Sequence, residues 1–69
     1  MAKLNKKDHF AMYTIWISEG AVAKANGDWE TYDSHCWMAV RCAERLGVTA
    51  PEWVVDAAAR YAPVTKAAA

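Results

Sequence analysis

Apolar residues recur at steps of three and four between Asp28 and Leu46, and this spacing constrains the fold more than any other feature of the chain. The residues in the pattern are Trp29, Tyr32, Cys36, Ala39, Val40, Ala43 and Leu46. Steps of three and four place side chains on one face of an α-helix, which turns by about 100° per residue. The spacing therefore predicts a helix over residues 29–46 with one buried stripe.

Trp37 falls outside this stripe, on the polar side of the same helix. Its neighbours there are Glu30, Asp33, Ser34, Arg41 and Glu44. A large aromatic side chain on a polar face is typical of an anchor for contacts with another protein. Packing against the first helix or against a second copy is the alternative for this ring. We expect a partner-binding surface centred on Trp37, with Arg41 stacked on the indole. The other expected members of this surface are Asp33, Met38 and Glu30.

A first helix is predicted over residues 6–25, with Asn5 as its N-cap and Asn26-Gly27 as its end. Its apolar residues are not confined to one stripe, and a helix that is apolar nearly all round is buried nearly all round. Two further short helices can hardly cover it, so we expect a homodimer through this helix. The residues expected at the dimer interface are Phe10, Tyr13, Ile17 and Ala21.

A third helix is predicted over residues 50–62, after Gly47 ends the second. Thr49 and Glu52 have the spacing of a capping box, with Pro51 in the first turn. Asp56 and Arg60 have the i,i+4 spacing of a surface ion pair. Pro63 is expected to end the helix and leave residues 63–69 as a loose tail.

These elements predict one domain over residues 1–69 of all-α class. In the expected arrangement, the first and second helices form a long antiparallel hairpin, and the third helix closes one end of it. A chain of 69 residues buries a limited fraction of its surface, so its margin of stability is small. The chain contains four Trp, three Tyr and one Phe. We therefore expect dense aromatic packing, together with self-association, to stabilise the fold.

Charge and cysteine usage narrow the classes of function. Eight basic and eight acidic side chains balance, which argues against a nucleic-acid binder with a basic excess and against an acidic DNA mimic. Cys36 and Cys42 diverge by about 120° on one helix, so no disulfide is expected. With no signal peptide and no apolar run of about 18 residues, we expect a cytoplasmic protein that does not enter a membrane.

No pattern of residues indicates an enzyme, a metal site or a cofactor site. Adjacent helical residues such as His35 and Cys36 diverge by about 100°, so they cannot chelate one ion together. Asp33, Ser34 and His35 are consecutive and cannot face one point as a hydrolase triad. The three glycines are too far apart to form a phosphate-binding loop.

The segment from Ala43 to Thr49, Ala-Glu-Arg-Leu-Gly-Val-Thr, resembles the turn of helix-turn-helix DNA-binding proteins. The resemblance implies a regulator whose third helix enters the major groove. The start of that helix departs from the pattern, because Ala50 to Asp56 includes two acids and no Arg, Lys, Asn or Gln to contact base edges. DNA binding is therefore the alternative hypothesis.

In a general way the chain also resembles the short helical accessory proteins of phages and other mobile elements. The shared features are compactness, aromatic richness, the absence of catalytic motifs and residues 47–55 with Pro-Glu-Trp-Val. Such proteins inhibit a host regulator or a CRISPR complex by occupying its surface. The resemblance implies a host protein as partner and an inhibitory role in host takeover, and it transfers no site residues. On this hypothesis Trp37→Ala changes the free energy of unfolding by less than about 0.5 kcal/mol and abolishes partner capture.

Overall fold

The computed structural model describes the backbone of residues 6–68 and the side chains of residues 7–61. It contains three helices, α1 (Lys6–Ala25), α2 (Trp29–Leu46) and α3 (Glu52–Ala68). Residues 6–68 include no β-strand, and the predicted all-α class is confirmed. None of these helices is long and apolar enough to cross a membrane. Asn5, the predicted N-cap of α1, lies outside the described residues.

The turn between α1 and α2 forms at the predicted residues. Gly27 adopts a φ of 76°, a left-handed conformation that favours glycine. Asp28 is the N-cap of α2, and its carboxylate accepts a hydrogen bond of 3.2 Å from the Thr31 amide. Hydrogen bonds from Thr31 hold the pKa of Asp28 below its ordinary value. Local sequence signals are therefore sufficient to begin α2.

Gly47 ends α2, as the sequence predicts. Its φ is 74°, and the Val48 amide donates a 3.1 Å hydrogen bond back to the Ala43 carbonyl. This left-handed cap satisfies carbonyl groups that the last turn would otherwise leave without partners. The end of α2 is set by local conformation alone.

The predicted capping box of α3 is wrong. The first carbonyl to accept helical hydrogen bonds is that of Pro51, from the amides of Val54 at 3.0 Å and Val55 at 3.1 Å. Thr49 thus lies two residues before the cap position, and no hydrogen bond within the described part of the chain joins it to Glu52. The helix begins at Glu52, two residues later than predicted.

The predicted end of α3 at residue 62 is also corrected. The helix continues through Pro63 to Ala68, so the expected loose tail over residues 63–69 is helical as far as Ala68. Proline has a φ of about −65°, which suits a helix, and its main cost is a clash and one missing hydrogen bond. Here Pro63 does not end the helix.

The middle helix, α2, packs against both α1 and α3, while the described residues of α1 and α3 have little contact with each other. Small residues dominate the main core cluster, which includes Ala23, Tyr32, Cys36, Ala39, Ala43, Ala50, Val54 and Ala57. At Gly20 of α1, an added Cβ would lie 3.6 Å from the Cβ of His35 and 3.7 Å from the Sγ of Cys36. These small side chains allow α1 to lie close against α2.

This arrangement leaves surfaces exposed that the sequence assigns to the interior. Trp29 is 56% exposed and Trp53 is 42% exposed, although both belong to predicted buried faces. On α1, Phe10, Ile15 and Val22 are exposed, as expected of an apolar helix that two short helices can hardly cover; its burial by a second copy stays a prediction. Because α3 lies against α2, the outer side of α1 has no cover from the described residues.

Candidate partner-binding surface

Trp37 is half-buried between α3 and a neighbouring side chain of α2. Its ring centroid lies 5.7 Å from that of Tyr61. On another side, the guanidinium carbon of Arg41 lies 5.1 Å from the ring centroid, so the predicted stacking of Arg41 on the indole is confirmed. The expectation that Trp37 faces solvent is corrected to partial exposure, because α3 packs on this side of α2.

Asp33 is expected on the partner-binding surface, but its carboxylate pairs with Arg60 of α3. It accepts two hydrogen bonds from Arg60, one of 2.9 Å from Nη2 and one of 3.3 Å from Nε. Its side chain is only 18% exposed, and the paired geometry is the strong form of an Arg–carboxylate contact. The hydrogen bonds that Arg60 donates to Asp33 raise the pKa of Arg60 above its ordinary value. The predicted ion pair between Asp56 and Arg60 is therefore wrong, since Arg60 contacts α2.

Glu30 is exposed in the first turn of α2. A carboxylate at this position is stabilised by the positive end of the helix dipole. Glu30 lies two turns before Trp37, which is about 10 Å along the helix axis. It belongs to the same side of α2 as Trp37 but is not adjacent to the ring.

Met38 and Arg41, two residues of the predicted surface, line a pocket of about 270 Å³ between α1 and α2. We call this the α1–α2 pocket. Its full lining is His9, Met12, Trp16, Met38, Arg41, Cys42 and Arg45. The apolar lining comes from two Met, one Trp and one Cys. The remaining three side chains are basic, and the lining includes no carboxylate.

The carboxylate of Glu44, as well as the Trp37 ring, holds Arg41 in position. Its Nε lies 3.1 Å from Oε1 of Glu44, and its Nη2 donates a hydrogen bond of 3.2 Å to Oε2. This pair is largely exposed and so contributes little to stability. Its effect is to orient Arg41 where the Trp37 ring and the α1–α2 pocket meet.

The predicted dimer interface is divided by the structure. Tyr13 and Ile17 are partly buried and pack against the core of their own chain, and their contact with a second copy stays a prediction. Phe10 and Ala21 are exposed and remain free to contact another molecule. The division follows from helical geometry, since Tyr13 and Ile17 lie nearer the side of α1 that faces α2.

A larger groove opens where the end of α1 meets the starts of α2 and α3. Its volume is about 650 Å³, and it is lined by Ala21, Lys24, Ala25, Trp29 and Trp53. Tyr32 joins the two indoles. It is stacked on Trp53 at 6.2 Å and contacts Trp29 edge-on at 5.8 Å. The sequence pattern assigns both indoles to buried faces and therefore does not indicate this groove.

The cysteines are unsuited to nucleophilic chemistry. Cys36 and Cys42 are free and buried, and burial raises the pKa of both thiols. A thiol that stays protonated is a poor nucleophile and a poor metal ligand. Among the described residues, no group of three or more His, Cys, Asp or Glu side chains could hold a metal ion.

His35 belongs to the contact between α1 and α2. Its Nδ1 is buried without a hydrogen-bond partner, and its ring packs against Trp16 at 5.1 Å. It lies beside Gly20 at the close approach of the two helices. We interpret it as a packing residue.

No protein-family model, no curated protein and no solved structure matches this chain. The function is therefore argued from the geometry of its surfaces.

Proposed function

We propose that this chain is a small non-enzymatic protein that binds a protein partner through the outer side of α2 and the adjoining side of α1. The observation that carries the proposal is the α1–α2 pocket. Met38 and Arg41, which the sequence singles out beside Trp37, line its rim together with basic residues of both helices. A partly exposed indole beside an apolar pocket with basic side chains at its rim is suited to anchoring another protein.

Arg41 belongs to both parts of the proposed surface, the Trp37 ring and the α1–α2 pocket. It lies over the Trp37 ring and also lines the α1–α2 pocket. Trp and Arg are enriched among the residues that carry most of the binding energy of protein interfaces. A partner seated on Trp37 and in the pocket would contact Arg41 from both sides.

The finer parts of the proposal come from the sequence. The resemblance to accessory proteins of phages and mobile elements supports a host regulator or defence protein as the partner, bound and inhibited in the cytoplasm. An antiparallel α1–α2 hairpin that pairs with a second copy through Phe10 and Ala21 belongs to the same proposal. Such pairing would use the outer side of α1 and leave the α1–α2 pocket accessible.

The DNA-binding alternative has less support. Glu52 and Asp56 are exposed at the start of α3, the helix that would enter the major groove. Carboxylates at this position repel the phosphate backbone of DNA. His9, Arg41 and Arg45 instead line the α1–α2 pocket, which is too small for a duplex.

Affinity capture from a lysate of the source organism tests this proposal, using Arg41→Glu as the key variant. We expect wild type to retain one specific protein and Arg41→Glu to reduce its recovery at least tenfold, because the charge at both contact sites is reversed. Arg41 is exposed, but Arg41→Glu removes its contacts with Trp37 and Glu44, so the free energy of unfolding should fall by about 1–2 kcal/mol, which circular dichroism of the variant checks. Trp37→Ala is a poorer test, since loss of the Tyr61 contact lowers stability as well.

Lys7→Glu is the matched control for capture. It makes the same change of charge at an exposed position of α1 that does not line the α1–α2 pocket. Recovery of the partner should match wild type. Equal recovery with Arg41→Glu and Lys7→Glu, or no specific partner with wild type, would contradict the proposed function.

A further inference from the structure

We infer that the α1–α2 pocket accepts a single apolar side chain from an acidic segment of the partner, whose carboxylates bind Arg41 and Arg45. The inference rests on the proposed function and adds the chemistry of the partner. It is carried by three properties of the pocket, namely its size, the chemistry of its lining and the sign of its charge.

The size of the pocket restricts what can enter it. Its volume of about 270 Å³ lies just below the roughly 300–1,000 Å³ of pockets that hold drug-sized ligands. A group the size of one side chain fits, whereas a nucleotide-sized cofactor does not. The protein partner of the proposed function would supply such a group as a side chain that projects from its surface.

The apolar lining suits an anchor of variable shape. Met12 and Met38 are unbranched and adapt to different partners, as methionines do at other binding surfaces. Trp16 adds an aromatic face to the same pocket. An aliphatic or aromatic side chain would be removed from water here, which is favourable in proportion to the apolar area that is buried.

The basic side chains at the rim of the pocket favour an anchor that is flanked by acidic residues of the partner. His9, Arg41 and Arg45 line the pocket, and Glu44 pairs with Arg41 without lining it. Arg41 and Arg45 are four residues apart on α2, which places their side chains one helical turn apart on the same face. Nε and Nη2 of Arg41 already contact Glu44. A carboxylate of the partner therefore forms its paired hydrogen bonds with Arg45, and a second carboxylate contacts Arg41 through the remaining Nη1.

A fluorescein-labelled, end-blocked pentapeptide Glu-Glu-Phe-Glu-Glu is the probe that tests this inference, with binding to the full chain followed by fluorescence anisotropy at low salt. We expect saturable binding that weakens at least tenfold when the four Glu are replaced by Gln, and several-fold when Phe is replaced by Ala. Added salt should weaken binding as well, since surface charge pairs are screened.

Variants of the protein locate the peptide. Arg45→Glu should weaken binding at least tenfold, and Lys7→Glu should change it less than twofold. Arg45→Gln removes the charge without placing an acid at the C-terminal end of α2, so it keeps the test valid if Arg45→Glu fails to fold. Equal binding of the Glu and Gln peptides, or wild-type binding by Arg45→Gln, would overturn the inference.

Inorganic phosphate and duplex DNA serve as competitors. The inference predicts that neither displaces the peptide at equal concentration, because neither supplies an apolar anchor. Displacement by either would overturn it in favour of a phosphate site. If partner capture depends on Arg41 but the peptide does not bind, this inference fails and the proposed function stands. If the peptide binds and capture is unaffected by Arg41→Glu, the proposed function fails.

Discussion

Tyr32→Ala is expected to unfold most of the population at 25 °C. Tyr32 is 3% exposed and contacts Trp29 and Trp53 within the aromatic cluster that joins α2 to α3. Removing a buried ring of this size costs about 3–5 kcal/mol. In a chain of fewer than about 70–80 residues, a single hydrophobic core rarely supplies more than about 3–5 kcal/mol. The loss is therefore comparable to the whole margin.

Circular dichroism during thermal and urea unfolding measures this effect, with Tyr32→Phe as the control. The control keeps the ring and both aromatic contacts, so its unfolding midpoint should stay close to that of wild type. A cooperative transition of Tyr32→Ala within a few degrees of wild type would show that the aromatic cluster does not hold α3 on α2.

Gly20→Leu and Gly20→Ala are expected to change stability in opposite directions. A Cβ at Gly20 would lie at ordinary contact distances, 3.6 Å from His35 and 3.7 Å from Cys36, so alanine fits without a shift. Alanine is also about 0.5–1 kcal/mol better than glycine inside a helix. The additional atoms of leucine have no space between α1 and α2, and overpacking of this kind costs about 1–3 kcal/mol.

Urea unfolding of Gly20→Leu and Gly20→Ala measures the change in the free energy of unfolding that each variant causes. Ser18→Leu is the control for the leucine variant, because it places the same side chain at an exposed position of α1 and should stay within about 0.5 kcal/mol of wild type. If Gly20→Leu is as stable as Gly20→Ala, α1 and α2 do not approach each other at Gly20 as described.

The features that the sequence predicts well are those set by neighbouring residues. Gly27, Asp28 and Gly47 determine where α1 ends and where α2 begins and ends, through a left-handed turn or a cap that needs no distant contact. The capping box failed because Pro51 provides the first helical carbonyl, and the spacing of Thr49 and Glu52 cannot show which carbonyl comes first.

The features that depend on three-dimensional packing were not predictable from periodicity. A helical pattern shows which residues share a face, but it does not show that two helices flank α2. The packing of α3 on α2 brings Tyr61 to Trp37 and Arg60 to Asp33. Part of the polar face of α2 therefore forms contacts within the chain. In the same way, His9 joins Arg45 at one pocket only through the packing of α1 on α2.

Photo-crosslinking from position 38 tests the proposed binding surface most directly. A photoreactive phenylalanine analogue replaces Met38 at the α1–α2 pocket in one variant and replaces the exposed Val55 of α3 in another. We predict a light-dependent adduct with one distinct protein from position 38, its loss in the Arg41→Glu background and no such adduct from position 55. Adducts of equal yield from both positions, or none from position 38, would contradict binding at this surface.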